Sequence, residues 1–134
     1  MLPRVRAFMD TVVPTLNPED EILYAVKFLL QNRVTGAPVV NTDNEMIGIL
    51  SEKDCLRILS GGKDNKDYPS GTVREYMSTS VTTVSPNMNI YFVAGMFLND
   101  VVRRFPVVEN GKLVGAITRF DILRAVETNL PKQS

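Results

Sequence analysis

Histidine is absent from this chain, and with it the commonest metal ligand and the usual general base near neutral pH. The single cysteine, Cys55, can make no internal disulfide. Neither sign of charge prevails. Fifteen Lys and Arg balance fifteen Asp and Glu, so no global field draws the chain to nucleic acid or to an anionic membrane. No run approaches the ~20 apolar residues that span a bilayer. The opening MLPRVRAFMD has an early basic pair but no apolar stretch long enough for a secretory signal. These absences disfavour hydrolase and metalloenzyme chemistry and point to a reduced, cytoplasmic protein without a membrane partner. What is present is ordinary globular material. With 134 residues, 44% apolar and 22% charged, the chain suffices for one domain or for two small ones sharing a core.

An internal repeat organises those residues. Shifting the sequence by 68 positions lays residues 9–40 over 77–108, with eleven identities in 32 positions that end in a shared Pro-Val-Val. After a one-residue gap in a polar turn, Gly48-Ile-Leu-Ser-Glu-Lys-Asp54 aligns with Gly115-Ala-Ile-Thr-Arg-Phe-Asp121. Each copy predicts the order β-α-β-β-α. A β-branched strand (13–16; 81–84) ends at Asn17-Pro18 or Ser85-Pro86, which reads as an N-cap followed by Pro in the first helical turn. The helices then run to about Asn32 and Asp100, the first with an apolar stripe of Ile22, Leu23, Val26, Leu29 and Leu30. Two strands form a hairpin in each copy (37–40 with 46–50; 105–108 with 113–117), and second helices span 51–60 and 118–128. The expected fold is therefore mixed α/β (α+β), with repeats at 1–62 and 75–134 around a turn-rich linker at 63–74. One copy is too small for a convincing core, so the two are expected to pack with pseudo-twofold symmetry.

The recurring Gly-x-x-Ser/Thr-x-x-Asp falls where a strand ends and a helix begins. Ser51 with Asp54, and Thr118 with Asp121, have the spacing of a capping box, which is a purely structural reading. The same geometry also suits a ligand. A helix N-terminus seats anions, a hydroxyl adds a hydrogen bond, and a carboxylate accepts two hydrogen bonds from a vicinal diol.

These segments, together with Val13-Pro-Thr15, Val81-Thr-Thr83, residues 36–40 and residues 104–108, resemble a tandem pair of cystathionine-β-synthase (CBS) domains, a Bateman module, over about residues 6–128. The resemblance implies a stand-alone, non-catalytic regulatory sensor. It would bind an adenosine-containing ligand (AMP, ADP or ATP, with S-adenosylmethionine a further member of the class) in the cleft between repeats, and no obligatory cofactor or metal. It also implies the site residues. One pocket would use Ser51 and Asp54 with Val81, Thr83, Val102 and Phe105; the other would use Thr118 and Asp121 with Val13, Thr15, Val34 and Ala37. Three residues before the Pro-Val-Val proline, phosphate binders of the family often carry a base. Here Thr35 and Arg103 hold those places, so the Asp54 pocket is expected to take the phosphate tail, with Lys53 and Arg119 as secondary phosphate partners.

Cys55 reads as a small buried hydrophobe, since no histidine can activate it. Met9 and Met77 recur in register as equivalent plugs, and Met88, Met96, Phe97 and Leu98 read as core or interface. Leu56, Leu59, Leu123 and Val126 are candidates for a homodimer face. An unidentified protein effector is the expected output partner, and a ligand-free interaction module is the alternative.

Overall fold

The structure, a computed structural model, describes residues 3–60 and 70–129. Each Pro-Val-Val run forms the first strand of an antiparallel hairpin: β1 (Gly36–Val40) with β2 (Met46–Ser51), and β3 (Arg104–Glu109) with β4 (Lys112–Thr118). Both hairpins carry an irregularity at the same place, between Val39 and Val40 and between Val107 and Val108. They differ at the tip. Asn110 and Gly111 close the second with positive φ at both positions (54° and 80°), the conformation that an Asn-Gly turn adopts at low cost. The first has a longer loop in which the Asn41 side chain accepts from the amides of Asp43 and Glu45. This is where the repeats lose register by one residue.

The predicted leading strands are reduced to single parallel bridges, Leu16 to Val39 and Val84 to Val107. The first helices also begin later than their sequence suggests: α1 is Ile22–Asn32, and the helix of the second copy is Ile90–Leu98. Asn17 and Ser85 cap a separate turn instead. Their side chains accept from the amides of Glu19 and Asn87, two residues on, and a further turn intervenes before the helix. Asn89 is the true N-cap of the second of these helices, accepting from the Phe92 amide at 3.0 Å. The stripe that α1 buries is Ile22, Ala25 and Leu29; Leu23 and Leu30 face outward, Leu30 at 73% exposure. The second helices match expectation. They are α2 (Glu52–Ser60) and, last in the chain, Arg119–Asn129. A short α3 (Val73–Tyr76) intervenes, which makes Ile90–Leu98 α4 and Arg119–Asn129 α5.

Compact units do not follow the repeats. The chain divides between Val13 and Pro14 and again between Val81 and Thr82. In the 14–81 unit, Leu16, Ile22, Leu29, Val39, Leu50 and Val73 form the core. In the other unit, Val5, Val84, Ile90, Phe105, Val107 and Ile117 do so. Each unit borrows the segment leading into the opposite repeat. Ser78 exchanges two backbone hydrogen bonds with Ile49, both 2.9 Å, and Asp10 exchanges two with Ala116 at 2.8 and 2.9 Å. Glycine makes the approach feasible. A Cβ on Gly48 would lie 2.8 Å from both the Ser78 carbonyl and the Met77 sulfur, and one on Gly115 would lie 2.7 Å from the Asp10 carbonyl and 2.9 Å from the Met9 sulfur. Met9 and Met77 thus occupy equivalent places, as their register in the sequence implies. Most of the expected linker lies in residues 61–69, outside the described residues; at its end Thr72 caps α3 in a capping box with Glu75.

Candidate functional site

The hairpins deliver the two Ser/Thr-x-x-Asp motifs to equivalent junctions. Gly36 pairs with Ser51 in the first and Arg104 with Thr118 in the second. In each, the chain leaves the sheet and turns directly into helix, so the hydroxyl and the carboxylate face one another across the first helical turn. The Asp54 amide donates to Ser51 Oγ at 3.2 Å, and the Asp121 amide to Thr118 Oγ1 at 3.1 Å. In return, the Ser51 and Thr118 amides donate to Oδ2 of Asp54 and Asp121, both at 2.9 Å. The capping-box reading is therefore correct as local structure, with Asp replacing the usual Glu or Gln.

Further groups converge on these carboxylates. Arg57 Nη1 donates to Asp54 Oδ1 at 3.1 Å, and Arg124 Nη2 to Asp121 Oδ1 at 2.7 Å. Ser51 Oγ and Ser78 Oγ also donate to Asp54, at 3.0 and 3.4 Å. Asp54 is the one buried polar or charged side chain among the described residues. Arg57, Arg124 and Ser78 escape a reading of the sequence for ligand chemistry. The arginines had a signal, since each follows its Asp by three residues in both copies. Ser78 had none, because it reaches Asp54 from 24 residues away through the borrowed segment.

The other expected site residues divide between the units. Thr15, Val34, Thr35, Ala37 and Val81 lie with Ser51 and Asp54 in the 14–81 unit; Val13, Thr83, Val102, Arg103 and Phe105 lie with Thr118 and Asp121 in the other. Thr35 is brought against the first junction, its carbonyl accepting from the Glu52 amide at 2.8 Å. Ala37 and Phe105 are buried in the cores of their units, Phe105 against Phe97 with ring centroids 4.5 Å apart. Thr83 and Arg103 are exposed, while Val13, Thr15, Val34, Val81 and Val102 are half-buried. Arg103 has no hydrogen-bond or ion-pair partner among the described residues. Arg119 is already engaged: it donates to the Asp100 carbonyl at 3.4 Å and lies 6.0 Å from the centre of the Phe97 ring.

A cavity of about 580 Å³ lies nearby, between α4 and α5, lined by Phe97, Leu98, Asp100, Arg119, Ile122 and Leu123 among others. Leu98 belongs to this rim at 87% exposure rather than to the core. Among the described residues, no group of three Cys, Asp or Glu side chains could hold a metal ion, and no helix is long and apolar enough to cross a membrane.

A hairpin followed by a helix that opens on Ser/Thr-x-x-Asp, present twice, defines a tandem-repeat module. The CBS-domain family model matches residues 5–61 and 73–128, and the chain belongs to that family. Among curated relatives it is 32% identical over 120 residues to the uncharacterized protein MJ1225 of Methanocaldococcus jannaschii, covering 90% of this chain and 41% of that protein. It is 30% identical over 119 residues to the CBS domain-containing protein YhcV of Bacillus subtilis, covering 88% of this chain and 81% of the relative. The chain thus spans about two fifths of the first relative's length. Among solved structures it resembles CBSX2 of Arabidopsis thaliana in complex with AMP, at 28% identity and a TM-score of 0.80, over 93% of this chain and 96% of that one.

Proposed function

We propose that this CBS pair is a non-catalytic regulatory module that binds an adenosine nucleotide and passes its occupancy to a separate protein partner. The observation that carries this reading is the duplicated Ser/Thr-x-x-Asp junction, in a chain similar to a CBS pair solved with AMP. A carboxylate facing a hydroxyl at a helix N-terminus offers acceptors for a ribose diol, and the first-turn amides and dipole offer a seat for phosphate. The residues proposed to line the ligand are Ser51, Asp54, Val81, Thr83, Val102, Arg103 and Phe105, and Thr118, Arg119, Asp121, Val13, Thr15, Val34, Thr35 and Ala37. Exposed Arg103, with no competing carboxylate among the described residues, is the favoured phosphate partner. AMP, ADP and ATP are the proposed ligands, and S-adenosylmethionine shares their adenosine.

A second reading, a ligand-free dimerisation module, rests on the apolar helix faces. Leu30, Leu56, Leu98 and Leu123 are 61–87% exposed, and they recur at equivalent positions of both copies.

A thermal-shift panel of AMP, ADP, ATP, S-adenosylmethionine and GMP separates the readings. A ligand at 100 times its Kd adds about 2.7 kcal/mol, a rise of about 5–15 °C for a protein of this size. A rise with an adenosine ligand and none with GMP is the expected result. A flat panel on folded protein overturns nucleotide binding in favour of the second reading.

A further inference from the structure

The second hairpin closes on a dipeptide with chemistry of its own. Asn110 is the one asparagine in the chain that precedes a glycine, and it forms with Gly111 the loop between the paired Glu109 and Lys112. Both loop residues have positive φ, 54° and 80°, the mark of a type I′ turn. Both are exposed, and a Cβ built on Gly111 would meet nothing within 4 Å. Other asparagine side chains are held. Those of Asn17, Asn32, Asn41, Asn89 and Asn99 each hydrogen-bond the main chain. Among the described residues, neither the Asn110 side chain nor the Gly111 amide has a hydrogen-bond partner.

Asparagine is a thermolabile residue, and an unblocked amide beside a free carboxamide can react with it. The Gly111 nitrogen attacks Asn110 Cγ. The N–Cγ bond forms, the Cγ–Nδ2 bond breaks, and ammonia leaves with the amide proton, closing a five-membered succinimide. Water then opens the ring. Addition at the Cγ carbonyl leaves aspartate; addition at the main-chain carbonyl leaves isoaspartate, whose backbone runs through Cβ and is one carbon longer. Closure requires the Gly111 nitrogen to swing nearly into line with the Asn110 Cβ. A flip of the Asn110–Gly111 peptide plane achieves this and converts the turn from type I′ to type II′. Type II′ keeps Asn110 at positive φ and moves Gly111 to negative φ, a change that glycine makes freely. Both types suit a two-residue hairpin loop, so the pairing of Glu109 with Lys112 is kept.

We infer that Asn110-Gly111 is a self-modification site, at which the folded hairpin converts its own asparagine to isoaspartate and aspartate. Either product adds a negative charge beside Glu109, whose carboxylate pairs with Arg6 at 2.9 Å. Isoaspartate also lengthens the loop, and loop length sets the register of the flanking strands. Those strands carry Phe105, Val107 and Ile117 of the core, so the modified hairpin is loosened as the protein ages.

Ageing of the full chain at pH 8, followed by peptide mapping with mass spectrometry, tests this against a sample taken at time zero. Synthetic peptides of residues 105–112 carrying aspartate or isoaspartate identify the products. Asn110 is expected to react several-fold faster than Asn41 or Asn89, to yield both products, and to react about as fast in the folded chain as in urea. Tm is expected to fall as isoaspartate accumulates. Asn110→Gly, which keeps a residue suited to positive φ and removes the carboxamide, is expected to hold its Tm over the same period. A folded rate several-fold below the rate in urea, or no excess of reaction at Asn110 over the other two asparagines, overturns the inference. So does a Tm that is unchanged once isoaspartate has formed.

Discussion

Cys55 shows how a neighbour decides what a residue can do. It follows Asp54 on the first turns of α2 and is half-buried. Burial pushes its thiol pKa up from the usual value, and the Asp54 carboxylate pushes it the same way, so the thiolate is disfavoured twice. Alkylation by iodoacetamide at pH 8 is therefore expected to run several-fold slower than for a free thiol such as N-acetylcysteine, and to recover in denaturant. A native rate equal to that of the free thiol contradicts this assignment. The sequence reading of Cys55 as a small buried hydrophobe holds only in part: the side chain packs against the core of the 14–81 unit but is half-buried. At the junctions, the sequence discloses the carboxylates and hydroxyls because their spacing is local. It cannot disclose the occupancy of Asp54, because Ser78 arrives through a contact between distant segments.

At the level of elements, hairpins and second helices were legible because their signals are strong and short in range. Pro-Val-Val followed by a polar turn and a second β-rich run specifies a hairpin, and the capping box marks where each second helix begins. The first helices begin later than their sequence predicts, for a physical reason. Asn17-Pro18 and Ser85-Pro86 have the chemistry of a helix start, but their side chains satisfy the amides of an isolated turn. The unit boundaries were equally hidden, because a repeat in sequence carries no record of which hairpin its lead-in segment joins. Gly48 and Gly115 hold that clue. Their missing Cβ atoms admit the backbones of Ser78 and Asp10, and rigid backbone cannot yield to a methyl group as a flexible side chain would. Gly115→Ala is expected to cost about 1–3 kcal/mol, as for other overpacked interiors, and to lower Tm in a thermal melt. An unchanged Tm contradicts the close pairing of Asp10 with Ala116.

Across the whole molecule, equal numbers of acidic and basic residues leave no net charge, so the proposed nucleotide binding would rest on local features such as Arg103 and the helix N-termini. Two units with duplicate hairpins and separate cores offer two equivalent strand-to-helix junctions. The account stands or falls on where an adenosine nucleotide binds. The most direct measurement is a titration of ¹⁵N-labelled protein with AMP, followed residue by residue through its amide resonances, with GMP as control. We predict saturable shifts with AMP, and none with GMP, at the Ser/Thr-x-x-Asp junctions around Ser51 and Asp54 and around Thr118 and Asp121. Shifts confined to the α4–α5 cavity around Phe97 and Leu123, or no saturable shift with AMP at all, contradict the account.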